Sequence, residues 1–483
     1  MAEESGSNVT TDPIHIPKLA TGIAGLDDVL FGGIPEHRVT LLKGAAGTGK
    51  TILGLECLFH AARTGRPVIC VCFEETAEAL RQNAKAMGWD IAALEETGLF
   101  FLWEARIDRR AIYSGDFSIE SLLGVLGAKA EQMGASLIMI DAVDVLVSLF
   151  SDTAKEHNEL YRLHDWLAEK RFTALLTAKI KSQTNDNHCY ELLDYMAGCV
   201  IHLDLRVLNQ IATRRLRVIK YRGSGFCSNE YPYLIGRDGN VVMPITAVRL
   251  LHRSLDEKVS SGHQTFDSSL GGGFFRGSSI LFAGPSGSGK TTFAATFTQH
   301  ACTQGRPVLY ISFEESQEAI LSAMRSPGIV LDDAVNTGML EFHTIMPEAL
   351  VAEEHLYQII LKLNKLRPAH LVVDSISACR RMGGDKTAFD FLVRLINLCK
   401  QRHMTCMMTN QREQDDPAPA RGLSSILDAM ILLSFAERDR IIERDLIIVK
   451  SRGTHHSNRR HGFRITNTGI QFRPLDTQEG QAQ

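Results

Sequence analysis

Short continuous apolar runs alternate along this chain with longer helical patterns. In the second half the runs are SSILFAG, PVLYISFEE, AHLVVDSIS and MTCMMTN, followed by AMILLSF and RDLIIVK. The first half carries the same series: VTLLKG, PVICVCFEE, SLIMIDAVD, FTALLTA, CVIHLDL and RLRVIKY. Uninterrupted apolar strands separated by helices predict parallel strands buried on both faces, an α/β fold. The last strands of each series are joined by short charged turns and predict an antiparallel extension of the sheet.

The two series are copies. Residues 21–54 align without a gap on residues 261–294. Lys50 to Lys290 and Glu74 to Glu314 are both shifts of 240 residues, Asp141 to Asp374 is 233, and Lys220 to Lys450 is 230. Such a period is far too long for a solenoid, so two whole domains of roughly 230 residues are expected. They are placed at 14–245 and 258–475, joined within MPITAVRLLHRSLDEKVSSG, with polar tails at both ends.

Composition narrows the class. A chain of 483 residues, 44% hydrophobic and 22% charged, with 39 glycines and 14 prolines, is ordinary globular protein, neither disordered nor collagen-like. Its net charge of −4 lacks the basic excess of a dedicated nucleic-acid binder, so nucleic acid is not an expected partner. No run of about 18 apolar residues could span a membrane, and the polar N-terminus has no apolar core of a signal peptide. Cys70 and Cys72, two apart in a strand run, share a face and read as core thiols rather than metal ligands. His455, His456 and His461 lack metal spacing. The compartment reads as reducing and cytoplasmic.

Gly44-Ala45-Ala46-Gly47-Thr48-Gly49-Lys50-Thr51 and Gly284-Pro285-Ser286-Gly287-Ser288-Gly289-Lys290-Thr291 both fit G-x-x-x-x-G-K-[ST]. Each follows an apolar strand and opens a helix, the context of a phosphate-binding loop whose backbone N–H groups cradle phosphates. Lys50 and Lys290 are expected on the β- and γ-phosphates and Thr51 and Thr291 on Mg²⁺, with Ile52 and Thr292 completing the two loops. Glu74-Glu75 and Glu314-Glu315 end apolar strands on the nucleotide side, where a carboxylate could deprotonate an attacking water or hydroxyl. The plainer alternative is an acidic first turn of the next helix. Asp141 and Asp374 end their strands at the position that holds a magnesium shell, against the plainer role of a helix N-cap. Ser375 follows Asp374 where Ala142 follows Asp141. Lys220 with Arg222, and Lys450 with Arg452, either blunt a solvated strand edge or reach a phosphate bound by a neighbouring subunit; the residues alone leave this open.

Together the doubled TGI-GLD-type opening, the two loops, the Phe-Glu-Glu-[Thr/Ser] strand ends and the K-x-R-G strands resemble the KaiC family of tandem RecA-like ATPases, over about residues 14–475. The resemblance implies two RecA-like domains, ATP with Mg²⁺ at subunit interfaces, and six chains in a double ring. It puts the general bases on Glu74, Glu75, Glu314 and Glu315, with Glu314 also near the metal. Trans-acting cations fall on Lys220, Arg222, Lys450 and Arg452, and a further ATP contact on Arg444.

The second KaiC domain is an autokinase, and its acceptor stretch aligns with ARGLSSILDAMILLSF, which implies phosphoacceptors Ser424 and Ser425. The plainer alternative is that these serines cap a helix beginning at Ile426. Two departures limit the likeness. The chain stops soon after FRITNTGIQFRPLDT, short of the peptide gripped by the activator KaiA, so KaiA-type activation is not expected. A family threonine upstream of the acceptors aligns with Pro419, against an ordered clock-like cycle. Signalling partners of the KaiB or histidine-kinase type are implied. A RecA-like DNA motor and an ATP-gated scaffold without kinase activity are the competing classes. No zinc knuckle or basic, aromatic-interleaved patch supports the motor.

Overall fold

The computed structural model describes residues 16–105, 119–147, 153–180, 188–208, 211–236, 239–243, 256–412, 423–438 and 441–473. The chain divides into two compact units at Pro244/Ile245.

In the first unit the strands of the main sheet are β1 (Val39–Gly44), β2 (Val68–Cys72), β3 (Phe100–Glu104), β4 (Leu137–Asp141), β5 (Thr173–Lys179), β6 (Cys199–Leu208), β7 (Ile211–Tyr221), β8 (Glu230–Gly236) and β9 (Gly239–Val242). They form one nine-stranded sheet in the order β3-β2-β4-β5-β1-β6-β7-β8-β9. All pairings from β3 to β6 are parallel, and β6 through β9 run antiparallel. The second unit repeats this order with β10 (Ser279–Gly284), β11 (Val308–Ser312), β12 (Leu340–Thr344), β13 (His370–Asp374), β14 (Thr405–Gln411), β15 (Ala429–Arg438), β16 (Ile441–Ser451), β17 (His461–Thr466) and β18 (Gly469–Phe472). These are two RecA-like α/β domains, with the antiparallel extension where the charged turns placed it.

The runs VICVC and LIMID are buried at every position, because helices cover both faces of the parallel part. Cys70 and Cys72 are free thiols in that core, and Met407 and Met408 lie in the other. Helices α1 (Lys50–Arg63) and α2 (Lys290–Thr303) start straight from the phosphate loops without a side-chain cap, from Gly49 at φ 95° and Gly289 at φ 102°. Each apolar side chain they bury, such as Leu53 and Leu58 of α1, contributes about 1.5–3 kcal/mol. Among the described residues no helix is long and apolar enough to cross a membrane.

One local expectation is corrected. No helix begins at Ile426: Leu423–Ile426 is a turn and β15 begins at Ala429. Ser279 fixes this entry, its Oγ donating to the Ile426 carbonyl at 3.2 Å and to Asp428 at 2.8 Å. Extended backbone then follows, because Ala429 must register with Ile280. Pro419 lies outside the described residues.

Candidate nucleotide sites

Topology sets the first site. Strand β1 ends at Gly44 between β5 and β6, and a Cβ on Gly44 would come 2.2 Å from the Leu203 carbonyl of β6. Only glycine lets the chain leave the sheet there. Gly47, at φ 76°, and Gly49 turn the loop into α1, and buried Thr48 ties it by donating from Oγ1 to the Ala45 carbonyl at 2.9 Å. Lys50 curls over the loop, its Nζ donating to the carbonyls of Gly44 (2.9 Å) and Ala45 (2.8 Å). Burial pushes its ammonium below its usual pKa, partly offset by Asp141 and Asp144. A dianionic phosphate would restore that charge.

Thr51 Oγ1 donates to Asp141 Oδ2 at 2.9 Å, and Thr177 Oγ1 holds the other oxygen of Asp141. Burial raises the pKa of Asp141 against those two hydrogen bonds. A hydroxyl and a carboxylate in contact at a helix start are hard oxygen donors that fit Mg²⁺, which takes one or two protein ligands and completes its shell with phosphate and water. No group of three or more His, Cys, Asp or Glu with metal-holding geometry occurs among the described residues. Past β2, Glu75 accepts from Asn83 Nδ2 at 3.2 Å, and Glu74 is paired with the Lys179 ammonium. Burial, then Asp141 and Glu74, raise the pKa of Glu75.

The second site keeps this plan. Lys290 donates to the carbonyls of Gly284 (3.0 Å) and Pro285 (2.7 Å), and Thr291 and Thr292 open α2 after Gly287, Ser288 and Gly289. Asp374 accepts from Tyr310 Oη at 2.9 Å and from Thr409. Glu314 accepts from Ser375 Oγ at 2.9 Å, and burial with Asp374 and Glu314 raises the pKa of Glu315. A cavity of about 550 Å³ opens beside Glu314 and Glu315, walled by Met346, Glu348 and Arg381. Arg444 Nε donates to the Gly287 carbonyl at 3.1 Å, which puts this arginine on the phosphate loop from the antiparallel strands. The peptide bonds after Asp141 and Asp374 are both cis.

The remaining four cations are not brought to these loops. Lys220 pairs across the sheet with Val200, and Val200 with Leu41, which is about 10 Å down the strand from Gly44 at 3.3 Å per residue. There its Nζ donates to the Tyr195 carbonyl at 3.0 Å, and Arg222 sits over the Tyr195 ring at 5.3 Å. Lys450 likewise donates to the carbonyls of Ser424 and Leu427, both at 2.7 Å, and Arg452 to that of Ser425. The side chains of Ser424 and Ser425 are exposed.

Sequence reasoning did not reach several participants. Thr177, Thr409 and Tyr310 lie on strands next to those of the aspartates, and Lys179 on a strand one further from that of Glu74, so strand order brings them together. The one available signal was the strand repeat itself, which places Thr177 and Thr409 at matching positions of β5 and β14. Also unforeseen was the support under Gly49. Tyr233 Oη lies 3.3 Å from the Gly49 carbonyl and donates to Asn240 Oδ1 at 2.7 Å, while the Asn240 N–H donates to buried Glu56 at 2.8 Å.

Comparison with known proteins agrees with this duplication. The family model described as "ATPase: KaiC" matches residues 19–247 and again 259–477. A protein of Synechocystis sp. named circadian clock protein KaiC2 is 34% identical over 97% of this chain and 83% of its own length. The circadian clock oscillator protein KaiC of Parathermosynechococcus lividus is 31% identical over 95% of this chain and 86% of its own, and that of Synechococcus elongatus 29% over 97% and 91%. With both repeats matched and relatives aligned over nearly the whole length, this chain belongs to the KaiC family of tandem ATPases.

Proposed function

We propose that both halves hydrolyse ATP with Mg²⁺ and that the second also phosphorylates Ser424 or Ser425 of a neighbouring copy, in a ring of six chains whose state a protein partner reads. The backbone of each loop and Lys50 or Lys290 bind the phosphates, and Arg444 steadies the second loop. Thr51 with Asp141, and Thr291 with Asp374 and Glu314, hold the metal, which when bound neutralises charge on the β- and γ-oxygens. In hydrolysis a water oxygen bonds to the γ-phosphorus as the bond to the β,γ-bridging oxygen breaks. ADP leaves, and the water proton passes to Glu74 or Glu75, or to Glu314 or Glu315. In the kinase reaction a serine hydroxyl replaces the water and gives its proton to Glu314 or Glu315.

One observation carries the intermolecular reading: the exposed Ser424 and Ser425 are held by the same cations, Lys450 and Arg452, that would reach a neighbour's γ-phosphate. These cations lie at the opposite end of the parallel strands from the loop of their own half, so acceptor and cations would arrive together at another chain's nucleotide. The test mixes two full-length proteins, Ser424→Ala/Ser425→Ala as donor and Glu314→Gln as acceptor, with ATP and Mg²⁺. Phosphate on Ser424 or Ser425 of the acceptor chain, found by phosphopeptide mass analysis, is expected. ADP formation by the unmutated protein without any phosphopeptide would leave an ATPase switch and remove the kinase.

A further inference from the structure

The two halves differ at the end of the strand beside the phosphate loop. Lys179 is the last residue of β5 and registers with Gly44, the first glycine of the first loop. Its N–H donates to Asp144 Oδ1 at 3.1 Å, and its ammonium is paired with Glu74, both side chains being 39% exposed. The pairing raises the pKa of Lys179, and its charge reaches Lys50 strongly enough to lower that ammonium further. In the second half Gln411 registers with Gly284, carries no charge, and leaves Glu314 to the Ser375 hydroxyl.

We infer that Lys179 is a nucleotide-sensing residue of the first half, held on Glu74 until a γ-phosphate draws its ammonium away. A γ-phosphate brings about two negative charges and three oxygens against the single charge of Glu74, and the position beside Gly44 puts Lys179 within reach of both. Moving to the phosphate releases Glu74 to take up the water proton; with ADP, no γ-phosphate competes and the pair re-forms. The first half thereby distinguishes ATP from ADP by a device that the second lacks. This inference rests on the ATPase reading of the first half.

The experiment uses the full chain carrying Lys290→Ala, so that nucleotide binds at the first half, and measures binding of ADP and of a non-hydrolysable ATP analogue by calorimetry. Lys179→Gln is expected to weaken the analogue about tenfold and to leave ADP within about twofold, because only the γ-phosphate contact is lost. Glu74→Gln frees the ammonium and is expected to tighten the analogue about threefold to tenfold, and to change nothing once Lys179→Gln is also present. A lysine that merely braces Glu74 would shift both nucleotides equally or neither, and that result overturns the sensor. Failure of the parent protein to bind either nucleotide would overturn the ATPase reading instead.

Discussion

The two halves keep the same loop on different supports. Beneath Gly49 lies a buried polar chain of Tyr233, Asn240 and Glu56. The equivalent region under Gly289 is aromatic: Phe463, Phe293, Phe266 and Phe472 pack against one another, mostly tilted or edge-on, with ring centroids 5.2–6.3 Å apart. The turn held by the strand lysine differs in the same way. Lys220 holds the backbone of Asp194-Tyr195 as Lys450 holds that of Ser424, so only the second half offers serine hydroxyls at the turn. The glycines, lysine and following threonine of the two loops are the same in both copies, while the layer behind them, free to change as long as it fills space and satisfies polar atoms, has diverged.

The strongest way to break this comparison is at the proposed bases. Glu74→Gln and Glu314→Gln should each remove one half's ADP production, by about 10²–10⁴-fold for that half. Only Glu314→Gln should abolish Ser424/Ser425 phosphate. Equal loss of phosphopeptide from both variants would mean that the halves are not chemically distinct.

Stability comes next. Phe293→Ala should cost the second half about 3–5 kcal/mol through a cavity among packed rings. Glu56→Ala should cost the first about 1–3 kcal/mol by stranding the buried donors of Asn240, and the matched Thr296→Ala less than about 0.5 kcal/mol. All three tryptophans, Trp89, Trp103 and Trp166, lie in the first half. Urea unfolding followed by tryptophan fluorescence therefore reports that half alone, and far-ultraviolet circular dichroism reports both.

Acid should separate the halves more gently. Where the first half has Trp103 and Leu137, the second buries His343 and His370, each pushed by burial from 6.5 down to about 4. Both rings carry nitrogens without a hydrogen-bond partner. Between those values the unfolded chain binds more protons than the folded one, so stability falls as pH drops from about 6.5 toward 4. The loss is on the order of 1–2 kcal/mol per histidine by pH 5. The circular dichroism midpoint should fall with acid while the fluorescence midpoint moves less, and His370→Leu should narrow the gap. The smallest effect is expected from Ser375→Ala, which copies Ala142 into the second half. Loss of one hydroxyl on Glu314 should slow that half about threefold to tenfold in an ADP-release assay.

The loop proposed to bind phosphate was legible in the sequence because it is local: Gly47-Thr48-Gly49-Lys50 is shaped by its own backbone and the first turn of one helix. The repeat made the likeness of the two sheets legible too, since matching apolar runs predict matching sheets. The pairing of Glu74 with Lys179 was not legible, being made across 105 residues by two strands separated in the sheet by a third. The antiparallel reversal was read from the charged turns, but not the contacts that Lys220 and Lys450 make away from their own loops.

What the sequence by itself determined is therefore the duplication, the α/β class, the two loops and the identity of the acidic and basic groups around them. Only the tertiary structure decided which charges meet. Parallel strands deliver their C-terminal ends to the phosphate loop, and an antiparallel partner returns Lys220, Arg222, Lys450 and Arg452 to the far end. Electrostatic contact depends on separations of a few ångströms across the sheet, a distance that spacing along the chain does not encode.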